Sequence, residues 1–117
     1  MAKKLINKKY VPQDTQLIKK EEAKFVLAFK DKLEGKYNFD NFSVTDIKNF
    51  QKFLDKISKM TITQVDNAFL RSPDHNDKIH DISVQHYEYT DGGRIHGYFI
   101  DKVFYVIRVD KNHRYHK

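Results

Sequence analysis

The stretch Arg94–His116, RIHGYFIDKVFYVIRVDKNHRYH, decides the fold. It reads as two strands, each rich in β-branched and aromatic residues, joined by a two-residue turn at Asp101-Lys102. That turn lacks the glycine such turns favour, so its type stays open. If Ile100 and Val103 close the hairpin, Tyr98 pairs with Tyr105, His96 with Ile107 and Arg94 with Val109. Side chains alternate across a strand, and opposed residues share a face. One face then carries Arg94, His96, Tyr98, Tyr105 and Ile107. The other carries Ile95, Gly97, Phe99, Phe104, Val106 and Arg108: a core face, with Arg108 and Glu88 expected as an ion pair at its rim. The first face is basic, aromatic and rich in imidazole.

Upstream, Ile79–Tyr89 alternates as a third strand, and Thr90-Asp-Gly-Gly93 is its turn. Closing that turn with Tyr89 opposite Arg94 pairs Tyr87 with His96 and Gln85 with Tyr98. The polar-aromatic face would then cross three strands. A bulge at the glycines would shift the register by one and spoil that alignment.

Two helices precede the meander. Ser43-Val-Thr-Asp46 resembles a capping box, and Thr61-Ile-Thr-Gln64 is another. Phe42 with Ile47, and Met60 with Val65, are spaced as hydrophobic staples. Val44, Ile47, Phe50, Leu54 and Ile57 recur on one helical face, with Phe53 widening the stripe. Ile62, Val65, Ala68 and Phe69 form the buried side of the second helix. The spacing predicts helices near 44–59 and 62–70, with Phe50 and Leu54 against Phe99, Phe104 and Val106. Pro73 ends the second helix. Earlier still, Phe25-Val-Leu-Ala-Phe29 reads as a short buried strand. The expected fold is α+β: an N-terminal strand, two helices and a C-terminal three-stranded antiparallel meander, in one sheet covered by helices on one face and open on the other.

The 117 residues suffice for one core. Residues 1–20 read as a basic extension, and residues 21–117 as a single domain. Cysteine is absent, which excludes disulfides and cysteine zinc sites and suits a reducing cytoplasm. The start, MAKKLINKK, has no following apolar run, so no secretory signal is expected. No stretch is apolar enough to suggest a membrane span. The formal charge of +6 is uneven: residues 1–36 hold ten lysines against five acids. A basic arm containing Lys8 and Lys9 suits RNA or DNA, or serves as a solubilising tail.

The layout, the Arg94-Ile95 opening of a strand, the apolar Phe104–Val109 strand and the terminal His113-Arg-Tyr-His116 cluster together resemble the RelE/ParE toxin superfamily over about residues 25–117. The ending is most similar to its YoeB/HigB-like branches. The resemblance implies a toxin of a toxin-antitoxin system, a cytoplasmic bacterial endoribonuclease that cuts mRNA on the ribosome without a metal or other cofactor. It also implies a cognate antitoxin as partner. Arg94 would contact the scissile phosphate, and Tyr115 with His116 or His113 would match the terminal Tyr/His pair. No glutamate base is placed by this reading, since Glu88 falls on the core side.

The chemistry stands independently. Cleavage of RNA by its own 2′-hydroxyl needs a base, an acid and a cation for the phosphate. Histidine serves either proton-transfer role, and arginine braces phosphate. The candidate catalytic residues are Arg94, His96, His113, Tyr115 and His116. Candidate RNA-binding residues are Tyr87, Tyr98, Tyr105, Arg114, Lys8 and Lys9, the tyrosines as stacking surfaces. Each has a plainer alternative: Tyr98 and Tyr105 as cross-strand packing, Arg94 as a partner for Asp91. A His96, His113 and His116 metal site lacks a supporting acidic ligand. The competing function is a non-catalytic binding protein of the same fold, directed at nucleic acid or a protein partner of a mobile element.

Overall fold

Both helix starts are held by reciprocal side-chain caps. Ser43 Oγ accepts from the Asp46 N–H at 3.1 Å while Asp46 Oδ2 accepts from the Ser43 N–H at 2.8 Å. Thr61 and Gln64 repeat the arrangement at 3.2 and 2.9 Å. These caps satisfy orphan amides of the first turns. The computed structural model describes residues 23–72 and 77–115. The basic extension of residues 1–20 lies outside them, as does the expected helix stop at Pro73.

In chain order the elements are β1 (Val26–Ala28), α1 (Val44–Ile57), α2 (Ile62–Phe69), β2 (Leu70–Arg71), β3 (Lys78–Ile79), β4 (Ile82–Ser83), β5 (Gln85–Thr90), β6 (Gly93–Ile100) and β7 (Val103–Asp110). The protein is α+β. Five strands form one mixed sheet in the order β1-β7-β6-β5-β2, and β3-β4 form a separate ribbon. β1 runs parallel to β7, and the remaining pairs are antiparallel. The hairpin turn falls at Asp101-Lys102, with φ of 50° and 69°. Positive φ at both residues is the primed geometry that matches strand twist, reached here without glycine. The expected single strand over Ile79–Tyr89 is interrupted. His80 and Asp81, with φ of 51° and 63°, turn the chain within the β3-β4 ribbon.

Two bulges reset the register. Tyr98 lies opposite Tyr105 as expected, but between His96 and Gly97 the pairing slips, and His96 faces Arg108 while Arg94 faces Asp110. Between Glu88 and Thr90 it slips again, so Glu88 faces Arg94 and His86 faces His96. A one-residue slip moves side chains to the opposite face. Tyr87 and Tyr89 therefore lie under the helices, while His86, Glu88 and Arg108 join Arg94 and His96. The expected Arg108–Glu88 ion pair does not form. Arg108 pairs with Asp77 and Glu34, and Glu88 with Arg71. Gly97 permits the first bulge: a Cβ there would lie 2.3 Å from the Tyr105 carbonyl oxygen.

The main core joins Phe25, Phe50, Phe53, Ile57, Ile62 and Val65 to Tyr87, Tyr89, Ile95, Phe104, Val106 and Val109. Phe50 and Phe53 rest against Tyr89, with centroids 5.1 and 6.1 Å away. Phe99 and Phe104 pack on Phe25 rather than beneath Phe50. The buried stripe of α1 is thus rotated towards Phe53, and Leu54 is only partly buried. Val44 and Ile47 are 72% and 50% exposed, and Ala68 is exposed as well. Phe25 is the buried residue of the first strand region, whereas Val26 and Phe29 are exposed.

The face away from the helices is not left open. Val84, Tyr98 and Ile107 form a second small core with Ile79, Ile82 and Tyr105, using the β3-β4 ribbon as a cover. The connection after β1 continues along the same edge of β7, with Glu34 N–H donating to the Ile107 carbonyl at 3.0 Å and Val109 N–H donating to the Tyr37 carbonyl at 2.9 Å.

Candidate nucleic-acid interface

Asp110 organises the end of the sheet. It is buried, and its carboxylate accepts the backbone N–H groups of Arg114 and Tyr115, both at 2.8 Å. This folds the chain back after β7, with His113 at φ 52° and its N–H on the Asp110 carbonyl. The Tyr115 ring then covers the Arg108 guanidinium, 3.8 Å from ring centroid to Cζ. It meets His96 and Tyr37 edge-on at 5.3 and 5.4 Å. Burial pushes the Tyr115 phenol up from its ordinary pKa, with the Arg108 charge opposing that rise.

Arg94 and His96 lie opposite Asp110 and Arg108 in the ladder, and Tyr115 reaches the same end of the sheet through Asp110 and His96. Arg94 is half-buried between Glu88 and Asp110 in register, and forms no ion pair with Asp91 or any other described carboxylate. His96 is fully buried and stacked on His86, so it stands behind the surface rather than on it. His113 is partly exposed and Arg114 is exposed. His116, Lys8 and Lys9 lie outside the described residues.

The proposed stacking tyrosines fare unequally. Tyr87 is fully buried under the helices and donates its hydroxyl to Asp66, so it offers no ring to a base. Burial, aided by Asp66, raises its phenol pKa far above the ordinary value. Tyr98 is 1% exposed and donates to Asp31 Oδ2 at 2.7 Å, which makes it a packing residue and raises its pKa. Tyr105 is partly exposed, with the Lys30 ammonium 5.6 Å from its ring.

Sequence reasoning missed His86, Glu88, Arg108, Asp77, Glu34 and Asp110 as members of this face. The signal was present in Gly97: a glycine inside a strand commonly marks a bulge or a close backbone approach. Among the described residues no three His, Cys, Asp or Glu side chains group as metal ligands. No helix among them is long and apolar enough to cross a membrane.

No protein-family model matches the chain, and neither the curated proteins nor the solved structures give a significant match.

Proposed function

We propose that this chain binds messenger RNA on the ribosome and cleaves it as a metal-independent endoribonuclease of RelE type, restrained by a protein antitoxin. The observation that carries this reading is the gathering of Arg94, His113, Arg114 and Tyr115 around the Asp110-capped end of the sheet, with Arg94 in no ion pair among the described residues. A base would take the proton of the 2′-hydroxyl, whose oxygen then attacks the adjacent phosphorus. The 5′-oxygen would leave with a proton from an acid, giving a 2′,3′-cyclic phosphate. His113 or His116 supplies the proton transfer, worth about 10²–10⁴ in rate. Arg94 braces the phosphate, and stabilisation of its developing charge by such a group is a major term. His96 acts by positioning Tyr115, since it is closed to solvent.

The complete burial of His96 and Tyr87 favours a second reading, in which the same surface binds nucleic acid or a protein without cutting. Primer extension on translated message in EDTA separates the two. Cleavage by the wild-type chain, abolished by Arg94→Ala and by the double change His113→Ala, His116→Ala with unchanged circular dichroism, supports the enzyme. Message left intact by the wild-type chain, or cut equally by both variants, leaves the binding protein.

A further inference from the structure

A cleft of about 170 Å³ lies between the Lys36–Phe42 connection and the turn after β7. Its walls are tied together, because the Val109 N–H donates to the Tyr37 carbonyl at 2.9 Å. Lys36, Asn41, Asn112 and Arg114 line it on the polar side, and Tyr37 and Phe42 on the apolar side.

The charges in the cleft are not equivalent. Lys111 also lines it, but its ammonium sits 2.8 Å from Asp46 Oδ2 and donates to the Asn41 carbonyl as well. The lining carboxylate, Asp110, is turned into the Arg114 and Tyr115 amides. Lys36 and Arg114 remain, both exposed and in no ion pair among the described residues. The side-chain amides of Asn41 and Asn112 likewise make no hydrogen bond among those residues.

We infer that this cleft holds one unpaired nucleotide of an RNA strand, with its phosphate between Lys36 and Arg114 and its sugar or base edge on Asn41 and Asn112. The inference rests on the RNA reading above and adds a subsite to it. Guanidinium and ammonium groups suit a phosphate. A side-chain amide both donates and accepts, as recognition of a 2′-hydroxyl or a base edge requires. An aromatic wall beside them suits an unstacked base. A simple anion would need only the cations. Tyr37 also meets Tyr115, so a strand lying in the cleft continues towards the terminal cluster.

The test is fluorescence anisotropy of a labelled oligouridylate with the full chain across a salt series. Lys36→Gln combined with Arg114→Gln should weaken binding at least tenfold. Removing both cations from that one phosphate should also flatten the salt dependence by about 0.7 in log–log slope, the value per phosphate of a single strand. Lys52→Gln combined with Lys56→Gln, on exposed positions of α1, should change neither. RNA binding that survives the cleft change, or that the α1 change weakens equally, overturns the subsite and leaves the RNA reading standing. Poly-glutamate competing as well as unlabelled RNA also overturns it, in favour of an acidic protein ligand. A wild-type chain that binds no RNA overturns both.

Discussion

His86 and His96 stack face to face across β5 and β6, with ring centroids 3.7 Å apart and planes 9° from parallel. They are directly opposed in the ladder, and both are fully buried. On one side the stack abuts Arg108, opposite His96, and the Tyr115 ring. On the other, Arg71 is opposite His86 in register. The stack therefore links the centre of the sheet to the terminal turn.

A double-mutant cycle at pH 8, with His86→Ala, His96→Ala and the pair, should report a coupling of about 0.5–1.5 kcal/mol from urea melts, as for other stacked ring pairs. Additivity within about 0.3 kcal/mol would show that the contact carries no energy of its own. The same cycle in RNA binding reports whether the stack positions Tyr115.

Gly97→Ala should destabilise by about 1–3 kcal/mol or more, because the new Cβ meets a backbone oxygen at 2.3 Å and the Phe104 ring at 2.7 Å. A backbone atom cannot rotate away as a flexible side chain can. Wild-type stability in a urea melt would mean that the strands can re-register around the bulge.

Phe53→Ala should cost about 3–5 kcal/mol, since the ring is 1% exposed between Phe69 and Tyr89. Val44→Ala and Ile47→Ala, on exposed sites of the same helix, should each stay within about 0.5 kcal/mol. Reversed magnitudes would return the buried stripe to the positions that periodicity alone suggests.

The Asp46 carboxyl is held below its ordinary pKa, chiefly by the hydrogen bond from Lys111 and then by the Ser43 N–H. A carboxylate depressed in the folded state contributes stability above its unfolded pKa, about 3.9, and loses that contribution as pH falls through the folded value. The gap in urea midpoint between wild type and Asp46→Asn should therefore be full near pH 6 and shrink on acidification below pH 4. A gap that stays constant down to pH 2.5 would show that the carboxylate charge contributes nothing.

The elements that the sequence determined are those whose causes are local. Ser43 with Asp46 and Thr61 with Gln64 define helix starts within four residues, and alternation from Arg94 to Val109 defines a hairpin. Tertiary structure decided which side chains share a face. Strand side chains have a period of two, so the slips near Gly97 and Tyr89 exchanged Tyr87 for His86 and moved Arg108 to the face of His96. A bulge depends on contacts between strands, such as the approach of Gly97 to Tyr105, and no window along one strand contains that energy. The same holds for the cover over Tyr98. Asp31 is 67 residues away in sequence, yet its carboxylate receives the Tyr98 hydroxyl and turns an expected stacking surface into packing.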